Sequence, residues 1–158
     1  MERISYNDIP QGMFEKLMEV EHFLNNSPIE MKLLELIRLR VGQINGCAYC
    51  TDMHYKELKH LGESELRLVL LSTWEDSPFF NEKEIEVLRF TERITNISNS
   101  HISDEEIDAL LKYFNKSEIS YLTLAIAQIN TWTRLMKTFK FAPGKYQVKA
   151  IEIQEPVV

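Results

Sequence analysis

The chain has 158 residues, 44% hydrophobic and 27% charged, which is enough to bury a sizeable core without disulfide or metal staples. Its formal net charge of −6 argues against a nucleic-acid partner, because phosphate binding needs a concentrated basic surface and Arg38, Arg40 and the lysines are interleaved with acids. The segment Met1 to Pro10 carries Glu2, Arg3 and Asp8 without an apolar run, and no stretch approaches the ~20 apolar residues of a membrane span, so a cytoplasmic protein with no membrane partner is expected.

Helical periodicity dominates, and no convincing strand alternation occurs before the extreme C-terminus, which predicts an all-α bundle of about six to seven helices. A first helix runs through Met13, Leu17, Val20 and Leu24 and stops in Asn25–Asn26–Ser27–Pro28. The second is expected after Ser27 with Pro28 in its first turn, and it carries Met31, Leu33, Leu34, Leu36, Ile37, Leu39, Val41 and Ile44 over most of its circumference. So little polar face suits a core or an oligomer interface. Asn45–Gly46 provides a left-handed stop.

A third helix opens near Cys47 and reaches Leu61, with Gly62 as its terminal signal. Ser64 to Trp74 is read as a fourth, halted before Pro78, and Glu82 to Ile97 as a fifth. Ser103 with Glu106 forms a capping box for a sixth helix to Phe114. Ser117 is taken as the cap of the longest, which passes Leu122, Ile126, Ile129, Trp132 and Met136 to Phe139. With no repeats or linkers, one domain over 1–158 is expected, 146–158 being either a docking tail or disorder. The aromatics Phe79, Phe80, Phe90, Tyr121, Trp132 and Phe139 are read as core or subunit contacts.

The chemistry concentrates in Gly46-Cys47-Ala48-Tyr49-Cys50-Thr51-Asp52-Met53-His54. Cysteines three apart share a helix face and are poor staples in a reducing compartment, which favours redox chemistry or metal. At a helix start, unpaired N–H groups and the positive end of the dipole stabilise a thiolate, the reactive form. His54, four residues past Cys50 and seven past Cys47, lies on the same stripe and is placed to take a thiol proton. The pair would then carry a sulfenic acid to a disulfide. Zinc is disfavoured: two cysteines and His54 make three ligands, His60 points elsewhere on the helix, and His22 and His101 are distant in sequence. No phosphate-binding glycine loop occurs, so neither cofactor nor metal is expected. From the residues alone, Glu35 is most simply half of an exposed pair with Arg38.

The run from Glu35 through Cys47, Cys50 and His54 resembles the alkylhydroperoxidase D-like core of the carboxymuconolactone decarboxylase superfamily, whose pattern is a Glu twelve residues before a Cys-x-x-Cys and a His four after it. The likeness extends to Leu61-Gly62-Glu63, Trp74 with Ser77-Pro78-Phe79-Phe80, Phe90-Thr91-Glu92, and Asn130-x-Trp132-x-Arg134. It implies an all-α homo-oligomer (a dimer, trimer or hexamer) that reduces organic hydroperoxides at the expense of an external dithiol or lipoyl-type reductant. It also implies that Cys50 attacks, Cys47 resolves, and Glu35 with His54 relays protons, which moves Glu35 from surface pair to site residue. Tyr49 stands where the prototype has a second histidine, and Thr133 where an asparagine is common. Two other readings stay open: a lactone decarboxylase-like enzyme that needs no cysteines, and a redox-sensing or protein-binding oligomer without turnover.

Overall fold

A computed structural model describes residues 2–99 and 101–148, and every regular element among them is helical. Seven α-helices follow in order: α1 (Met13–Asn25), α2 (Met31–Ile44), α3 (Ala48–His60), α4 (Glu65–Leu70), α5 (Glu82–Thr95), α6 (Asp104–Leu111) and α7 (Lys116–Phe139). The all-α expectation is met. Among the described residues no helix is long and apolar enough to cross a membrane.

The architecture follows from α2. Its leucine-rich run is sunk into the core: while Lys32 stays exposed and Arg40 half-buried, Leu33, Leu34, Leu36, Ile37, Leu39 and Val41 are all buried. Those side chains are covered by α3, α5 and α7, which pack around α2 as the axis of the bundle. Each fully buried Leu or Ile is worth about 1.5–3 kcal/mol relative to an exposed one, so this helix anchors the fold. The pattern that suggested a buried or interfacial helix resolves as core within one chain.

Several boundaries differ from the sequence reading. α2 starts at Met31, with Glu30 rather than Ser27 before it. The Ser27 hydroxyl instead accepts from the Ile29 amide at 3.3 Å, a local turn that sends Ile29 into the core. The fourth helix breaks after Leu70 into a tight 3-10 run, Leu71–Asp76, where Thr73 leaves helical geometry. That break lets Trp74 bury its ring while its indole N–H donates to Glu92 at 2.7 Å. α5 stops at Thr95, two residues short of Ile97, and the Asn96 side chain donates back to the Glu92 carbonyl. α6 ends at Leu111 rather than Phe114. Its Ser103–Glu106 capping box forms as read.

The cap of α7 is Asn115, not Ser117. The Asn115 carboxamide oxygen accepts from the Glu118 amide at 3.0 Å, and the Glu118 carboxylate accepts from the Asn115 amide at 2.7 Å. Asn with Glu three positions on satisfies two helix-start donors reciprocally, whereas Ser117 stands exposed in the first turn. Beyond α7, residues 141–148 run without regular structure along α3. Gly144 donates its amide to Asp52 at 2.8 Å, Lys56 donates to the Tyr146 carbonyl at 3.0 Å, and the Tyr146 hydroxyl donates to Glu57. The remainder of the expected docking tail, 149–158, lies outside the described residues.

The cap assignment is testable by denaturant unfolding. Asn115→Ala is expected to lose about 0.5–2 kcal/mol, and Ser117→Ala to stay within about 0.5 kcal/mol of wild type. The opposite order would restore Ser117 as the cap.

Candidate functional site

The junction between α2 and α3 places both cysteines. α2 closes with Gly46 in a left-handed conformation (φ 60°), its amide bonded to the Gln43 carbonyl and the Cys47 amide to the Gly42 carbonyl. This paired closure is the usual use of glycine just past a helix end. Cys47 therefore ends one helix with its backbone and caps the next with its side chain, since its Sγ accepts from the Cys50 amide at 3.3 Å. The two cysteines are joined as a disulfide, their Cα atoms 5.4 Å apart. Gly42 lets the helices meet here: a Cβ added at that position would sit 3.2 Å from the Thr51 hydroxyl and 3.3 Å from its amide nitrogen.

The junction is also tied to α7. Asn45 donates through its carboxamide to Asn130 Oδ1 and Thr133 Oγ1, each at 2.9 Å, and its carbonyl accepts from Lys137 Nζ at 2.6 Å. Asn130 in turn donates to Thr95 Oγ1 at 3.1 Å. Thr133 thus serves as a working hydrogen-bond partner of the turn.

One helical turn beyond Cys50, His54 Nδ1 lies 2.7 Å from Glu35 Oε2. The other carboxylate oxygen of Glu35 accepts from Arg38 Nη1 at 2.6 Å. Glu35, Arg38 and His54 are 5%, 3% and 6% exposed, and Cys47 and Cys50 are 2% and 3% exposed, so dithiol, imidazole and carboxylate are all screened from bulk water. Burial alone would raise the Glu35 pKa, but the charges and hydrogen bonds of His54 and Arg38 outweigh it and hold the carboxyl below its ordinary 4.5.

Arg38 is itself fixed from a third helix. Its Nη2 donates to Glu21 Oε2 at 2.7 Å and Asn25 Oδ1 at 2.8 Å, and Glu21 Oε1 accepts from the Trp132 indole at 2.8 Å. A continuous polar chain therefore runs from α7 through α1 and α2 to His54 on α3. The Glu35–Arg38 pair read as a surface feature is real but buried, because both side chains project from the part of α2 that its neighbouring helices cover.

Glu35 and His54 are thus in direct contact, and the Cys47–Cys50 pair lies at the start of the helix that carries His54. Sequence reasoning missed Glu21 and Asn25, and it did not see that Arg38 is buried. The available signal was Glu35 and Arg38 set among the leucines and isoleucines of α2, where burial obliges opposite charges to find partners. Tyr49, between the cysteines, belongs to a different cluster. Its ring packs on Phe141, and burial together with the Tyr6 hydroxyl raises its pKa above the ordinary 10. Of the aromatics assigned to contacts, Phe80, Phe90 and Phe139 are buried, while Phe79 is exposed. Among the described residues no three His, Cys, Asp or Glu side chains gather as metal ligands.

A sequence profile of the Carboxymuconolactone decarboxylase family matches residues 11–93. The uncharacterised protein YdfG of Bacillus subtilis (strain 168) is 36% identical over 135 residues, covering 85% of this chain and 91% of that one. A protein of unknown function from Agrobacterium tumefaciens, proposed to be the antioxidant defence protein AhpD, superposes with a TM-score of 0.88 at 35% identity over 92% of this chain and 100% of that one. The debrominase Bmp8 shares the fold at a TM-score of 0.73 and 17% identity, over 83% of this chain and 70% of its own. The chain therefore belongs to the carboxymuconolactone decarboxylase family and has the AhpD-like fold within it.

Proposed function

We propose that the protein is a thiol-dependent peroxidase that reduces organic hydroperoxides through Cys50 and Cys47, with Glu35 and His54 handling the proton. The observation that carries this reading is the buried 2.7 Å contact between Glu35 and His54, one helical turn from a cysteine pair close enough to be bridged.

In the reduced protein, His54 takes the Cys50 thiol proton while the Glu35 carboxylate holds the ring by its Nδ1 and stabilises the imidazolium. The Cys50 thiolate attacks the terminal oxygen of R–O–OH. An S–O bond forms, the O–O bond breaks, and the alkoxide leaves with the proton returned by His54, giving R–OH and a sulfenic acid. The Cys47 thiol then displaces hydroxide from that sulfur, forming the disulfide and water. An external dithiol, such as a lipoyl-type group, reduces the disulfide by two successive exchanges and is itself oxidised. The sulfur of Cys47, already accepting a helix-start N–H, suits the thiolate that leaves in the first exchange. The reading includes a cytoplasmic setting, homo-oligomeric assembly and the whole chain acting as one domain.

Steady-state turnover of cumene hydroperoxide with a dithiol reductant is the direct test. Cys50→Ser is expected to abolish turnover, and His54→Ala to lower kcat/KM by about 10²–10⁴. Turnover that survives in Cys50→Ser defeats the proposal. A lactone substrate consumed by the double Cys→Ser variant but not by His54→Ala would support the decarboxylase reading, and a disulfide that no reductant turns over would support the sensor.

The pH dependence of stability tests the electrostatics separately. Because the folded pKa of Glu35 lies below 4.5, its contribution is complete above that pH and is lost as pH falls through the lower folded value. The stability advantage of wild type over Glu35→Gln, measured by denaturant unfolding, is expected to be largest near neutrality and to shrink below about pH 4.5. A difference independent of pH would show that Glu35 is not ionised in the fold.

A further inference from the structure

Beside the α2–α3 junction, Asn45, Thr133, Arg134, Lys137 and Thr138 line a cleft of about 340 Å³. No carboxylate is among the lining residues, although the chain has 24 acidic residues to 18 basic ones. Both cations are held by neutral acceptors. Arg134 Nη1 donates to the carbonyl and Oδ1 of Asn130, each at 2.8 Å, and Lys137 Nζ donates to the Asn45 carbonyl at 2.6 Å. Neither forms an ion pair among the described residues, so two exposed positive charges, each tethered by a hydrogen bond, border the cleft without a counter-charge from the protein. An arginine with N–H groups to spare, three residues from a lysine on one helix face, matches the geometry of a carboxylate.

The position of the cleft gives that charge a use. Asn45 is two residues from Cys47, which keeps their Cα atoms within about 7 Å, and Lys137 Nζ lies 3.7 Å from where a Gly46 Cβ would be. The cleft therefore sits against the turn that carries the dithiol. We infer that it binds the carboxylate of a small reactant of the Cys47–Cys50 site. The inference rests on the peroxidase reading and deepens it, because it assigns that site reactants with an anionic end. The carboxylate belongs to either the hydroperoxide or the dithiol.

Two matched pairs separate those sources, using the full chain: a short-chain hydroperoxide carrying a carboxylate against its methyl ester, and dihydrolipoate against dihydrolipoamide. One pair is expected to show a preference for the acid in kcat/KM of about tenfold or more, and that pair identifies the source. In Arg134→Gln/Lys137→Gln the acid-to-neutral ratio is expected to fall to near one. In Lys140→Gln, which removes a charge from the same helix end outside the cleft, it should persist. No preference in either pair, or a preference that survives the double variant, overturns the inference.

Binding without turnover is read independently, by titrating hexanoate and hexanamide while following the Asn45 and Gly46 amides by NMR. Saturable shifts with hexanoate alone, lost in the double variant, are expected. Those shifts in a protein that turns over no hydroperoxide would reject the peroxidase reading and uphold the cleft. Turnover with neither shifts nor preference would do the reverse.

Discussion

A carboxylate buried between a guanidinium and an imidazole is the constraint on which the other features of the site depend. Moving such ions out of water costs several kcal/mol each, and the cost is offset only when every hydrogen-bonding position is filled. Glu35 meets that condition by using one oxygen for Arg38 and the other for His54. Arg38 meets it by reaching α1, where Glu21 and Asn25 wait, and Glu21 by accepting the indole of Trp132 on α7. Four helices are thereby drawn to one point. The imidazole ends up with one nitrogen committed to an anion, the arrangement that orients a ring.

The same region shows how helix ends carry chemistry. Helix termini leave backbone groups unpaired, and a reactive sulfur placed there meets donors that are already fixed. Cys47 exploits this twice, closing α2 with its amide and capping α3 with its sulfur. Gly46 makes the turn possible by adopting a conformation most residues avoid, and Gly42 lets the two helices approach. Asn45, held by Asn130, Thr133 and Lys137, prevents the turn from drifting relative to α7. The dithiol thus sits at a hydrogen-bonded helix junction, Cys47 at the end of the turn and Cys50 in the first turn of α3.

Much of this could be read from the amino-acid order because the signals are local. The apolar circumference of α2 announced a buried helix, Asn45–Gly46 its end, and the Cys-x-x-Cys with His54 a shared stripe. The family pattern added Glu35, which residue spacing alone had assigned to the surface. What escaped was set by tertiary structure. Nothing local distinguishes an exposed Glu–Arg pair from one sealed inside a bundle, and Glu21 and Asn25 join the network from 17 and 13 residues away. The break within the expected fourth helix reflects Trp74 finding Glu92, a contact between separate elements. The cap of α7 differs in kind, because Asn115 with Glu118 is a local signature that needs no tertiary contact, while Ser117 falls inside the first turn. The basic residues looked dispersed along the chain, yet folding sets Arg134 and Lys137 beside the turn that bears Cys47.

The central claim is that the site prepares one particular sulfur, Cys50, to attack an oxygen. Mass spectrometry after one equivalent of cumene hydroperoxide, with a sulfenic-acid trap present, examines that claim in each single-cysteine variant. Cys47→Ser should yield the trapped sulfenic acid on Cys50, and Cys50→Ser should yield essentially none. Adduct on Cys47 alone, or on neither sulfur, would contradict the account.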